Sequence, residues 1–182
     1  MSLRPVHLLG SPVLRERAKE VAAVDDEVRA LITDLYDTMR VADGVGLAAN
    51  QIGVARRVAV VSVEGTDYTL INPVVVEHEG KSKQEEGCLS LPDIFADIQR
   101  PVRVVVEAAD ESGVVRRIDG SGMLGRAIQH EMDHLDGILL VDRVGPLKRR
   151  RLLAEWQKSR EGKTGYLREV AAETAPESAG KE

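Results

Sequence analysis

The chain has one cysteine among its 182 residues, so it can hold no internal disulfide, and its lone thiol, Cys88, needs a reason of its own. Aromatic residues are equally scarce. One phenylalanine, one tryptophan and three tyrosines leave any core to Val, Leu, Ile and Ala. No apolar run exceeds a few residues, Ile138-Leu139-Leu140-Val141 being typical, so no helix is expected to span a membrane. An early Arg4-Pro5-Val6-His7 does not read as a signal peptide, and the expected location is the cytoplasm. Nor is there an excess of positive charge. The formal net charge is -5, which argues against a surface that coats nucleic acid, and no direct DNA binding is expected.

What is present suffices for one domain. Hydrophobic residues make up 43%, enough for a sizeable core in a single unit of this length. Val28, Leu31, Ile32, Leu35 and Met39 recur at helical spacing behind Asp25-Asp26, which predicts a helix over residues 25–40. Arg57 to Val63 reads as a strand, followed by a turn at Glu64-Gly65-Thr66-Asp67 and a strand from Tyr68 to Ile71. Asn72-Pro73 is expected to interrupt, with Val74-Val75-Val76 opening another extended piece. Residues 102–108 and 114–118 read as a hairpin around Asp110 to Gly113. A second helix runs from about Met123 to Leu135 and closes at Gly137, and a third starts at Pro146. Strands in a run between helices, without βαβ alternation, point to an α+β fold with mostly antiparallel strands. These would pack around a central helix, with one helix toward each end of the chain. Residues 1–162 are expected to form the domain and 163–182, rich in Ala, Glu, Gly and Ser, a flexible tail.

Chemistry concentrates in three segments. His130-Glu131-Met132-Asp133-His134 places two imidazoles four residues apart on one helical face, where they can meet one borderline divalent transition ion. Glu131 between them suits a general base toward a water activated by that ion. A catalytic site wants a third protein ligand. Cys88, behind Gly87, is the candidate; a lone cysteine is otherwise most simply a small buried hydrophobe. The third segment, Gly44 to Gly53, reads in two ways. It is either a helix end followed by a loop, or a backbone stripped of side chains so that an extended ligand can lie along it, with Gln51 as an amide donor. Glu86 and Arg100 flank the loop around Cys88 and are expected to pair and hold it in place.

Together the segments resemble the peptide deformylase family. Its motifs Gly-x-Gly-Leu-Ala-Ala-x-Gln, Glu-Gly-Cys-x-Ser and Gln-His-Glu-x-Asp-His stand in order at Gly44–Gln51, Glu86–Ser90 and Gln129–His134. The resemblance implies removal of formyl from the N-terminal formyl-methionine of new polypeptides. It implies Cys88, His130 and His134 as ligands, usually of Fe(II), with zinc, nickel or cobalt as alternatives, and Glu131 as general acid and base. It also implies Gln51 and the Leu89 N–H as oxyanion donors, and Val45, Gly46 and Gly87 as the backbone that holds the peptide. Val45, Met123, Ala127 and the flank of His130 would form the methionine pocket. Arg126 stands where some members have an aliphatic residue, and is expected to bury its stem and keep its head in water. Ile94 and Phe95 stand where some members have a substrate-contacting arginine.

Two other readings compete. One is a zinc endopeptidase, taking Glu155 as third ligand. The other is a ribosome-binding module with a structural metal, for which His7 and His78 are the spare histidines. Lys148-Arg149-Arg150-Arg151, Lys158 and Arg160 make the third helix basic, as a solvated face or as a contact to the ribosome.

Overall fold

The computed structural model describes residues 3–171. Its elements follow in the order β1 (Val6–His7), α1 (Asp26–Val41), β2 (Gly46–Ala48), β3 (Val58–Val63), β4 (Thr66–Glu79), β5 (Ser82–Cys88), β6 (Leu91–Arg100), β7 (Arg103–Ala109), β8 (Val115–Ser121), α2 (Gly122–Leu135), α3 (Pro146–Ser159) and β9 (Leu167–Arg168). Each pairing between these strands is antiparallel, and the fold is α+β as its sequence predicts.

Strands β2-β3-β4-β7-β8 form one five-stranded sheet. Its strand β3 reads Val58-Ala59-Val60-Val61 because both faces are covered. Val58 and Val60 meet α1 through Leu31, Leu35 and Met39, while Ala59 and Val61 meet α2 through Ala127, Ile128 and Leu135. The α1 stripe therefore follows the helical period, and Asp25 caps it by accepting from the Val28 N–H at 2.9 Å. Gly137, with φ 73°, follows the end of α2 in a left-handed conformation that glycine adopts without cost.

The structure departs from the sequence reading in four places. Residues 66–79 form one strand, not two. Asn72, at φ 51°, absorbs the irregularity as a bulge, and its side-chain amide bonds both backbone groups of Val21 at 2.9 and 2.8 Å. The turn before it is tighter than expected, with Glu64 and Gly65 both at positive φ, as a two-residue hairpin requires. The segment after Gly44 is neither plain loop nor helix end, but the short strand β2 followed by a 3₁₀ turn over Ala49–Ile52. The segment around Cys88, read as a loop, is the hairpin β5–β6, a separate two-stranded sheet.

That hairpin has its own apolar footing. Leu91, Ile94, Ala96 and Ile98 pack with Leu14, Leu139, Leu152 and Trp156. Beside it, β9 pairs with β1 in the register Val6–Arg168 and His7–Leu167. Strand β9 thus lies within the stretch 163–182 expected to be a tail, of which residues 172–182 lie outside those described.

Candidate metal centre

Helix α2 and the β5–β6 hairpin bring the candidate ligands together. Helix α2 presents His130 and His134 one turn apart, with their Nε2 atoms 3.3 Å from each other. The hairpin presents Cys88 at the end of β5, with Sγ 3.3 Å from His134 Nε2. The three ligating atoms all lie within 4.8 Å of one another. A tetrahedral ion with bonds of about 2.0–2.3 Å would hold its donors roughly 3.3–3.7 Å apart, so this donor set fits a transition-metal ion. Burial alone would push the Cys88 thiol up, but the His134 and His130 rings outweigh it and hold the thiol well below its ordinary range.

Among the described residues this is the one such ligand group. Glu155 sits exposed on α3 and is not part of it, so the endopeptidase reading lacks its third ligand. His7 instead bonds Ser11 Oγ at 2.7 Å and His78 is exposed on β4, so neither supplies the fourth ligand that a structural site would want.

Glu131 is buried on α2, and its Oε2 has no hydrogen-bond partner among the described residues. Burial pushes its carboxyl up to about 7, although His130 and His134 pull the other way. The opposite oxygen explains Gly46, since a Cβ there would stand 2.5 Å from Glu131 Oε1. Strand β2 can pass this close only as bare backbone.

Gln51 is buried in the 3₁₀ turn, where its orientation is fixed. Oε1 accepts the Ala48 N–H at 2.9 Å, which turns Nε2 toward Ser90 Oγ at 3.1 Å and Cys88 Sγ at 3.8 Å. Val45, Gly46, Gly87, Leu89, Met123 and Ala127 line one cavity of about 870 Å³ together with Cys88, Gln51 and His130. Ile94 is buried in the hairpin's apolar footing. Phe95 is half exposed above Gly87, where a Cβ would meet its ring at 2.7 Å.

Behind the ligands lies a network of charge. Glu86 Oε2 stands 3.1 Å from His130 Nδ1, the ring atom facing away from the other ligands. Arg100 grips the same carboxylate with Nε at 2.6 Å and Nη2 at 2.9 Å, and reaches Asp133 with Nη1 at 2.8 Å. Arg143 also pairs with Asp133. Burial would raise the Glu86 carboxyl, yet the bonds from His130 and Arg100 hold it at about 2.

One expectation fails here. The Arg126 head is not in water: its side chain is 9% exposed and bonds Glu86 Oε1 at 2.7 Å and the Ile98 carbonyl at 3.0 Å. With an acid in reach, a buried guanidinium does better paired than extended to the surface. Sequence reasoning also passed over Ser90 and Asp133, both inside the quoted motifs. It missed the cavity wall of Arg160, Lys163, Leu167 and Arg168 as well, which carries no motif.

Three ligands leave a fourth position of such an ion open, and Glu131 beside them has an oxygen with no bond of its own. This is the logic of a mononuclear metallohydrolase. Similarity to known proteins narrows the class. Residues 3–150 match the polypeptide deformylase family. A peptide deformylase of Thermomicrobium roseum is 46% identical over 153 residues, covering 79% of this chain and 87% of that protein. The crystal structure of a peptide deformylase from Ehrlichia chaffeensis superposes with a TM-score of 0.84 at 33% identity, over 88% of this chain and 98% of that one. One from Legionella pneumophila does so at 0.82 and 39%, over 90% and 100%. The chain belongs to the polypeptide deformylase family and is an enzyme of that family.

Proposed function

We propose that the chain hydrolyses the formyl amide at the N-terminal formyl-methionine of newly made polypeptides, releasing formate and a free amine. Glu131 carries this reading, as a buried carboxylate with an unpartnered oxygen beside Cys88, His130 and His134. Cys88, His130 and His134 hold the ion, Fe(II) natively, with zinc, nickel or cobalt able to replace it. When bound, the ion supplies Lewis-acid polarisation and makes water nucleophilic near neutral pH.

The chain's own groups do the rest. The peptide lies as an added strand against the backbone of Val45, Gly46 and Gly87, and its methionine side chain enters the wall of Met123 and Ala127. Gln51 Nε2, its orientation set by the Ala48 N–H, donates with the Leu89 N–H to the oxygen that gains charge. Glu131 takes one proton from the attacking water and returns it to the leaving nitrogen as the C–N bond breaks. Limited space at the ligands favours formyl over acetyl. The catalytic unit extends past residue 162 to include β9, the enzyme works in the cytoplasm, and the basic α3 is free to meet the ribosome.

Turnover of formyl-Met-Ala-Ser tests this, beside its acetyl analogue, casein proteolysis and a metal count. Rapid formate release with one ion per chain and neither acetate release nor proteolysis is expected. Proteolysis without formate release would overturn the assignment.

A further inference from the structure

We propose that Arg126 is a positioning residue that fastens the cysteine arm of the metal centre to the histidine arm, a role that rests on the ligand set proposed above. The need for such a fastener follows from the fold. Cys88 belongs to a two-stranded sheet that pairs with no strand of the five-stranded sheet against which α2 packs. The hairpin's apolar residues are spent on Leu14, Leu139 and Trp156. Toward α2 its hydrogen-bonded links are polar side chains. Arg100 reaches Asp133, Glu86 meets His130, and Arg126 reaches across from α2.

Of the described α2 side chains, Arg126 bonds both strands of the hairpin. Its Nη2 donates to the Ser82 carbonyl at 3.2 Å and to Ser82 Oγ at 3.0 Å, where β5 begins. Its Nη1 donates to Glu86 Oε1 at 2.7 Å, two residues before Cys88, and to the Ile98 carbonyl at 3.0 Å on β6. A planar fork sets direction as well as distance, which a point charge on a flexible stem does not. Arg126 stands four residues before His130, one helical turn away, so the clamp and that ligand share one rigid segment. The position of Sγ relative to the two Nε2 atoms is thereby set from the helix. It also explains why an arginine is kept in the wall of a pocket meant for an apolar side chain.

The test uses the full chain loaded with Co(II), whose thiolate charge-transfer absorption reports the bond to Cys88 directly. Arg126→Met keeps the length of the stem and removes every donor. Its affinity for Co(II) should fall by about 10- to 100-fold with a weakened thiolate band, while Arg126→Lys should fall in between. Ile128→Ala separates this from general destabilisation. It weakens the packing of α2 on the sheet and should leave the band intact. A folded Arg126→Met protein with the parent's affinity and band would overturn the clamp. If that variant does not fold, Arg126→Lys decides, and release of Co(II) to a chelator at the parent's rate would overturn it. A parent protein that binds Co(II) without a thiolate band would instead sink the ligand set itself.

Discussion

Helix α2 meets the five-stranded sheet and the hairpin by different physics. Toward the five-stranded sheet it turns Ala127, Ile128 and Leu135 against Ala59, Val61, Leu70 and Val106, and its charged group on that side is Glu131, against Gly46 of β2. Toward the hairpin it turns Arg126, His130 and Asp133 against Glu86, Arg100 and Ser82. Apolar packing is non-directional and stabilises in proportion to the area removed from water. Buried ion pairs add little net stability, because desolvation offsets most of their attraction, but they hold atoms at set angles and distances. One face of the helix therefore keeps the domain folded, and the other places Cys88 opposite the histidines.

The largest effect should come from the hairpin's own ligand. Cys88→Ala should lose tight metal binding and with it deformylation, since two imidazoles alone hold a divalent ion weakly. Glu155→Ala should change neither, as that side chain is exposed on α3. Metal titration of both variants with formyl-Met-peptide turnover decides, and the opposite pattern would restore the endopeptidase reading. Next is Glu131→Gln, which is nearly isosteric and spares all three ligands. A metal content equal to the parent's and turnover lower by about 10²- to 10⁴-fold are expected, the range a positioned proton carrier contributes.

A matched pair of variants separates the two faces of α2. Ile128→Ala, at a fully buried site, should cost about 2–5 kcal/mol of stability while metal affinity stays unchanged. Glu86→Gln should lower metal affinity about 10- to 100-fold, because the amide no longer offers His130 a charged acceptor and leaves Arg100 and Arg126 underpaired. Urea unfolding and metal titration on the same samples give both numbers. If the two variants shift both quantities alike, the division of labour is wrong.

The same division explains what the sequence made legible. Periodicity records apolar faces, so α1, β3, the hairpin of β7 and β8, and the span of α2 could be read from Leu, Val and Ile spacing with Gly137 as a stop. The pairing of His130 with His134 on one helical face could be read from their i, i+4 spacing. The hairpin β5–β6 was obscured on its first strand by Lys83-Gln84-Glu85-Glu86. Its second strand did carry a signal, for Leu91, Ile94, Ala96, Ile98 and Arg100 are buried between exposed neighbours, closing in strict alternation. The partners of Arg126 could not be read, since Glu86 lies forty residues away and only the fold brings it near. Strand β9 was missed because two residues, Leu167 and Arg168, carry no period at all.

The smallest effect concerns that last strand, and it extends the comparison to the outer wall of the site. Arg160, Lys163, Leu167 and Arg168 line the cavity but neither touch the ligands nor belong to the charged network behind them. Leu167 and Arg168 are held by the pairing of β9 with β1 and by the Leu8 N–H, which donates to the Tyr166 carbonyl at 2.7 Å. A chain ending at Gly162 lacks most of this wall while keeping Cys88, His130, His134, Glu131 and Gln51. Its metal affinity should therefore match the parent's, and so should kcat on a dipeptide substrate that reaches no further than formyl-Met-Ala. KM for longer formyl peptides should rise by a few-fold, since binding energy removed equally from the ground state and the transition state appears in KM alone. A chain ending at Ala171 retains the whole wall and should match the parent on both substrates. Steady-state kinetics on short and long peptides with the two truncations provides the check. A large fall in kcat on the dipeptide, in a folded and metal-loaded chain ending at Gly162, would show that β9 supports the chemistry and not only the hold on the peptide.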